Sequence, residues 1–505
     1  MVWFKLHSHW NLRPVAIVAI FYSLFLLKAA TAGTTSDPSS TFQPRFTPSP
    51  CQIEFYEPRP GDRVECGFLE VAENRLNPDS AILDIEVAVL RSKNNQPAAT
   101  PVLFLAGGPG SGALDEIQLF LNLPLRETHD IYLVDQRGAG YSSPNLECVE
   151  FDALDARLAR RDLSAEQATA LIDMATRVCR QALDRQVNLA MYNSAAIAAD
   201  MEDLRVALAI DQWILLGVSY GTRIALTMMR DFPKGIRAAV LDSTVPVQVN
   251  YFEEGGNTVE RVFRLLFQRC EASECAESYP DLEAKFKATV AKLNSQPMRF
   301  TLLRRNRYLQ RFELNGEQFL EIIYDAFHDH RMIPFLPKAI DEISQGRSEA
   351  WRDYGLLDRP PSYFQSLGMA FSVHCYEEVP FNQNVDFKDD RFALYRGFLK
   401  RTTIDRKLCG NWGVPEAEKV ENQPVISQIP TLILSGEFDP VTPPSWGVLA
   451  GQSLSNSYVI EFPALSHGVS FRHRCPQAIR DAFIQNPSVK PKLACLQDMG
   501  EINFR

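Results

Sequence analysis

The stretch Trp213-Ile214-Leu215-Leu216-Gly217-Val218-Ser219-Tyr220-Gly221-Thr222-Arg223-Ile224-Ala225-Leu226 governs how the rest of the chain is read. Its first four residues form an apolar run with the length of a buried strand. Ile224, Met228 and Met229 then recur at helical spacing. Between the two lies Gly217-x-Ser219-x-Gly221. A serine between glycines at a strand-to-helix junction is a nucleophile elbow: the chain turns sharply, and the hydroxyl stands above the sheet at a helix N-terminus. The five-residue pattern alone is weak, so its weight depends on its surroundings.

Outward from the elbow, strands and helices alternate. Pro101–Leu105, Asp130–Val134 and Ala238–Asp242 read as buried strands. Residues 151–190 are charged, alanine-rich and helix-like. Asn193 or Ser194 caps a predicted helix running to Ile210, with Ile197, Met201, Leu204 and Leu208 on one face. Val64–Val71 and Ile82–Leu90 alternate well enough to predict an antiparallel pair at the sheet edge. After Asp242 the rhythm stops. Residues 245–425 are helix-like, aromatic and punctuated by proline, without obvious buried strands. The strand pattern resumes at Pro430–Ser435 and Tyr458–Glu461. This order predicts an α/β fold, with a mostly parallel sheet flanked by helices. Its core comes in two parts, 51–244 and 426–505. The segment 245–425 is expected as a large helical cap over the carboxyl ends of the strands, where such sheets bind ligands.

The N-terminus points to export. Lys5 and Arg13 precede an apolar run from Val15 to Leu27, followed by Ala30-Thr31-Ala32. Residues 1–32 therefore read as a signal peptide cleaved before Gly33, the apolar run being short for a membrane span. An uncleaved anchor is the alternative. Residues 33–50, rich in Ser, Thr and Pro, are expected to be a loose leader. The ten cysteines all lie beyond the signal and are even in number, which in a secreted or periplasmic chain reads as disulfides. Pairing sequence neighbours closes each bridge within one local region: Cys51–Cys66, Cys148–Cys179, Cys270–Cys275, Cys375–Cys409 and Cys475–Cys495. No Cys-x2-Cys pair points to zinc, and the reading calls for no metal and no cofactor. Net charge is −10, with no basic cluster, which argues against nucleic acid and anionic membrane surfaces as partners. No later segment approaches the length of a transmembrane helix, and the oligomeric state is open.

A serine hydroxyl needs a base to take its proton and a carboxylate to orient that base. In the chain order serine, acid, histidine, the acid follows a later strand and the histidine follows the last one. Gly436-Glu437-Phe438-Asp439-Pro440-Val441-Thr442-Pro443 directly follows the strand ending at Ser435, and Asp439 is the expected acid, with Glu437 and Asp242 as competitors. Ala464-Leu465-Ser466-His467-Gly468 follows the last strand and makes His467 the expected base, with His473 nearby as the rival. An oxyanion hole needs the N–H after the nucleophile and another from the loop after an early strand. These are Tyr220 and Gly108, with Gly107 the alternative, in Ala106-Gly107-Gly108-Pro109-Gly110-Ser111-Gly112. No Lys-Ser/Thr follows these glycines, so a phosphate-cradling loop is excluded.

Five motifs together carry a resemblance. Gly-Gly-Pro-Gly at 107–110, Asp-Gln-Arg-Gly-x-Gly-x-Ser at 135–142, Gly-x-Ser-Tyr-Gly at 217–221, Gly-x-x-Asp-x-Val-Thr-Pro at 436–443 and Ser-His-Gly at 466–468 stand in one order across the core. The chain resembles the α/β-hydrolase serine peptidases of the proline iminopeptidase and tripeptidyl aminopeptidase group, the S33 peptidases. Its cysteines near the C-terminus are similar to the secreted tripeptidyl aminopeptidase branch. The resemblance implies hydrolysis of peptides from a free N-terminus, with acidic cap residues binding the amino end. In Cys375-Tyr376-Glu377-Glu378 that match points to Glu377, with Glu378 second. A solvated acidic pair is the plain alternative. Ala106 departs from the family, which often has histidine before Gly-Gly-Pro-Gly. Composition and spacing by themselves yield only a serine hydrolase. An esterase or lactone hydrolase with the same triad remains open, as does a non-catalytic binding module.

Overall fold

In a computed structural model of the chain, the described residues are 42–505 apart from 55, 60, 152–153, 155–164, 304–308, 350, 352–365 and 384–386. The expected signal peptide and most of the leader lie outside the described residues, as does part of the helical stretch expected at 151–190. The remainder of that stretch forms the helix Ala165–Leu183.

The strands are β1 (Arg45–Ser49), β2 (Val64–Ala72), β3 (Ile82–Leu90), β4 (Val102–Leu105), β5 (Ile131–Val134), β6 (Trp213–Val218), β7 (Ile236–Asp242), β8 (Met298–Leu303), β9 (Leu309–Leu314), β10 (Thr431–Gly436) and β11 (Ser457–Phe462). Nine of them form one sheet in the order β1-β2-β3-β5-β4-β6-β7-β10-β11. From β5 to β11 every pairing is parallel. β1, β2 and β3 add antiparallel at one side. The central strands are continuous apolar runs because both faces are covered by other elements. Alternate residues feed two cores: Leu103, Leu105, Leu215 and Ile433 on one face, Val102, Phe104, Leu216 and Leu434 on the other.

Two expectations need correction. The leader is not loose throughout, since β1 extends the sheet beyond the pair expected to form its edge. Phe46 lies where a side chain on Gly67 would stand, Arg45 pairs with Glu70 at 2.7 Å, and Cys51–Cys66 ties the strand's exit to β2. Pro48 is tolerated because edge strands leave one row of backbone groups unpaired. The segment 245–425, in turn, is neither wholly helical nor wholly separate. β8 and β9 form a hairpin within it. Much of it packs into a core around Phe263, Phe286, Phe319 and Tyr395, which Phe438 of the later part joins. The helices Leu367–Glu377 and Arg406–Trp412 instead bury Met369, Val373, Leu408 and Trp412 in the hydrolase core. The five disulfides join the sequence neighbours expected. Among the described residues, no helix is long and apolar enough to cross a membrane.

Candidate active site

β6 ends at Val218, and Ser219 opens the helix Tyr220–Asp231 with φ 56° and ψ −127°. A non-glycine residue there costs on the order of 1–3 kcal/mol, so neighbours must hold it. The Ser219 N–H donates to Asp242 O of β7 at 3.0 Å. The serine itself, and not a glycine beside it, therefore carries the positive φ of the turn. The glycines make room instead: a Cβ on Gly221 would stand 2.0 Å from Leu105 O, and one on Gly217 2.6 Å from Gly221 O.

β4 delivers the glycine loop to the same point. A Cβ on Gly107 would lie 3.1 Å from Ser219 Cβ, and Gly108 and Gly110 adopt φ of 112° and 101°. The motif after β5 shapes this loop. Buried Asp135 accepts from Leu114 N at 2.9 Å and Tyr141 N at 2.7 Å, and Gln136 Nε2 donates to Ala106 O at 2.9 Å. Burial raises the Asp135 carboxyl to about 7, against the pull of those backbone donors. Arg137 anchors the motif through two 2.7 Å bonds to Asp200.

After β10 the chain folds back around a fully buried Asp439. Its carboxylate accepts from Val441 N and Thr442 N at 2.9 Å each and from Thr442 Oγ1 at 2.7 Å. His467 Nδ1 lies 2.8 and 3.0 Å from its two oxygens. Burial alone would raise the Asp439 pKa, but His467 and Thr442 outweigh it and hold the carboxyl well below the usual range. Burial likewise lowers the His467 pKa, while Asp439 more than offsets this and leaves it raised.

The competitors hold loops. Asp242 accepts from Val469 N at 3.0 Å and Ser470 N at 2.8 Å, just beyond the histidine. Glu437 pairs with Arg269 and accepts from Ala464 N at 2.9 Å. His473 Nδ1 accepts from Cys475 N at 3.2 Å and lines a different cavity. The cap reaches down to the acid turn, where Arg261 donates to Glu437 O at 2.9 Å and Asp439 O at 2.6 Å, and Tyr324 Oη donates to Pro440 O at 3.1 Å.

Ser219, Gly107, Gly108 and His467 share the wall of a cavity of about 820 Å³ between core and cap. His328 of the cap also lines it, its ring 6.2 Å from that of His467. A second lobe of about 380 Å³ shares Ser219 and Gly108 with the first and is lined by Tyr220, Arg223, His374, Glu377 and Glu378, with apolar Phe371 and Leu408.

Glu377 and Glu378 are not a solvated pair. They are 1% and 2% exposed, and Arg223, also buried, sits between them. Arg223 Nε is 3.4 Å from Glu377 Oε1, Nη1 donates to Glu378 Oε1, and Nη2 donates to Glu377 O at 3.1 Å. Glu377 also takes the N–H and hydroxyl of Ser194, whereas Glu378 takes the Tyr251 N–H at 3.2 Å. Burial pushes Glu378 up to about 7 despite Arg223, and pushes neighbouring His374 down to about 3, so that the imidazole is neutral.

Sequence reasoning missed Arg223, Ser194 and Arg261. Arg223 did leave a signal, since an arginine inside the apolar run of a buried helix requires a buried carboxylate partner.

Residues 100–473 match the family described as alpha/beta hydrolase fold. Serine protease Hip1 of Mycobacterium tuberculosis is 24% identical over 437 residues, covering 81% of this chain and 82% of that protein. A proline iminopeptidase of Neisseria meningitidis serogroup B is 23% identical over 354 residues, covering 70% of this chain and 77% of the relative. The solved structure of a proline iminopeptidase from Mycobacterium smegmatis aligns with a TM-score of 0.38 at 15% identity, over 80% of this chain and 95% of that one.

Proposed function

The chain belongs to the α/β-hydrolase fold family and is a hydrolase, and within that class we propose an exported serine exopeptidase that cleaves peptides from a free amino terminus. Ser219 Oγ attacks the scissile carbonyl while His467 Nε2, the nitrogen turned away from Asp439, takes its proton. Asp439 holds the ring and stabilises the imidazolium. The N–H groups of Tyr220 and Gly108, with Gly107 the alternative to Gly108, hold the oxyanion, and such donors contribute about 3 kcal/mol each. As the intermediate collapses, the C–N bond breaks and His467 returns the proton to the leaving amine. Water, deprotonated by the same histidine, then releases the acyl group from Ser219. Export is supported by the N-terminal sequence and by five disulfides, which persist in oxidising compartments.

One observation favours an exopeptidase over an esterase with the same triad. The lobe that opens at Ser219 carries two buried carboxylates and one guanidinium. With both carboxylates ionised, the unit is one positive charge short of neutral. An ester's acyl group has no cation to offer it, whereas a peptide's α-ammonium does. Glu378 is the principal reader: Glu377 is held by both Ser194 donors, with Arg223 Nε at 3.4 Å, while Glu378 has the raised pKa of an under-compensated carboxylate. The names of the relatives, a serine protease and a proline iminopeptidase, fit a peptide substrate.

The test is digestion of a free-N-terminus peptide library and its N-acetylated twin by the purified protein, followed by mass spectrometry. Shortening from the amino end, confined to the free peptides, is expected. Internal cuts, equal cleavage of both libraries, or ester hydrolysis without peptide cleavage would contradict the reading.

A further inference from the structure

Ser194 opens the helix Ser194–Ala207, yet Asn193 already caps that helix, its side chain accepting from Ala196 N at 2.9 Å. The Ser194 hydroxyl, freed from capping, lies buried between two elements of the site. It donates to Glu377 Oε1 and lies 2.8 Å from Tyr220 Oη, while the Ser194 N–H donates to Glu377 Oε2 at 3.2 Å. Burial raises the Tyr220 hydroxyl's pKa, so it stays protonated. With the Ser194 proton given to Glu377, the chain of donors runs from Tyr220 O–H to Ser194 O–H to the carboxylate. Glu377 ends the helix Leu367–Glu377 of the inserted segment. Tyr220 follows the nucleophile and, on the reading above, supplies an oxyanion N–H from its backbone. Ser194 thus ties the wall that reads the amine to the residue that holds the oxyanion.

We propose that Ser194 is a positioning residue that fixes the register between the Glu377–Glu378 wall and the oxyanion donor of Tyr220, for substrates anchored by a free amine. The proposal rests on the exopeptidase reading. A peptide whose ammonium is held at that wall has its scissile carbonyl placed by the distance from wall to oxyanion donor, and a misplacement of about 1 Å can cost about 10²-fold in rate. A small ester has no ammonium, is not anchored there and settles against Ser219 independently. Arg223 links the same two helices, but removing it leaves carboxylates buried without their counter-charge. Removing the Ser194 hydroxyl takes away a neutral link and leaves the charges paired. The loss of register therefore appears in turnover of anchored substrates rather than in their binding.

Ser194→Ala is tested on a free-amino peptidyl p-nitroanilide, its N-acetylated form and p-nitrophenyl acetate. The expected result is a fall in kcat of about tenfold or more on the free-amino substrate, with KM nearly unchanged and ester turnover within about twofold of wild type. A parallel fall on peptide and ester would mark a merely structural role and overturn the proposal. So would a rise in KM alone, which would place Ser194 in amine binding, or no change at all. If Ser194→Ala does not fold, judged by circular dichroism, Tyr220→Phe decides, since it removes only the far end of the relay. The ratio of free-amino to ester turnover should then drop, and an unchanged ratio would overturn the proposal. Failure of the underlying reading looks different: wild-type protein would itself show no preference for free-amino over acetylated peptides.

Discussion

Replacing Glu378 with glutamine keeps the side chain's size and removes its charge. The Glu378 oxygens accept from Arg223 Nη1 and from the Tyr251 N–H at 3.2 Å, in a site only 2% exposed. Glutamine offers one oxygen, so one donor keeps its partner and the other faces an NH2 group, at a cost of about 1–3 kcal/mol in stability. The effect on substrate is larger and selective. An ammonium brings the Glu377–Arg223–Glu378 unit from net −1 to neutral in the wild type, but from neutral to +1 in the variant. Truncating one partner of a buried charge pair costs about 2–5 kcal/mol. Glu377 stays beside the site, so the lower part of that range applies, about 2–3 kcal/mol, or roughly 30- to 160-fold in kcat/KM. The assay compares a free-amino peptidyl p-nitroanilide with its N-acetylated form at pH 8, above the Glu378 value of about 7. The free-amino substrate should lose this factor and the acetylated one almost nothing. Equal losses on both, or no loss on either, would refute the assignment of Glu378.

Asp439→Asn should reduce kcat by about 10⁴-fold, because the imidazole loses its orienting acceptor. Asp242→Asn, which loosens only the loop beyond His467, should cost no more than about 10²-fold; the reverse order would move the acid to Asp242. On the proposed mechanism, catalysis needs neutral His467 and amine reading needs ionised Glu378. Since the His467 pKa is raised and that of Glu378 is about 7, kcat/KM should fall as pH drops below neutrality. Its acid limb should have a limiting slope of about 2 for free-amino peptides and about 1 for esters, and equal slopes would contradict the amine site. Gly221→Ala forces a Cβ to 2.0 Å from Leu105 O and should destabilise the protein by about 3 kcal/mol or more. Gly410→Ala, in a helix with nothing within 4 Å, should be neutral or stabilising by up to about 1 kcal/mol; similar melting temperatures for the two variants would contradict the close packing at the elbow.

The parts legible in the sequence are those whose chemistry is local. The glycines beside Ser219, the turn holding Asp439 and the loop carrying His467 each follow a strand, and strand-end chemistry is written in consecutive residues. The central strands were legible too, because burial on both faces makes them continuous apolar runs. β1 was not: Pro48 and the surrounding Ser, Thr and Pro read as a tail, and its pairing with β2, supported by Arg45–Glu70, Phe46 over Gly67 and Cys51–Cys66, makes a strand of it. The divided packing of residues 245–425 was also hidden, since an apolar helix does not say against which core it packs. Ser194, Arg223 and Glu377 lie far apart in the chain and meet only in the folded protein. The sequence raised Glu377 above Glu378 by family likeness; that both Ser194 donors hold Glu377 is written only in the fold, and it is the ground for the proposal that Glu378 meets the ammonium.

Hydrolysis through Ser219 is tested by active-site titration with a fluorophosphonate, peptide mapping of the adduct, and peptidase assay of Ser219→Ala. About one adduct per chain is expected, on the peptide containing Ser219, lost together with peptidase activity in a variant whose melting temperature is unchanged. An adduct on another serine, or a folded Ser219→Ala protein that still cleaves free-amino peptides at near wild-type rates, would contradict it.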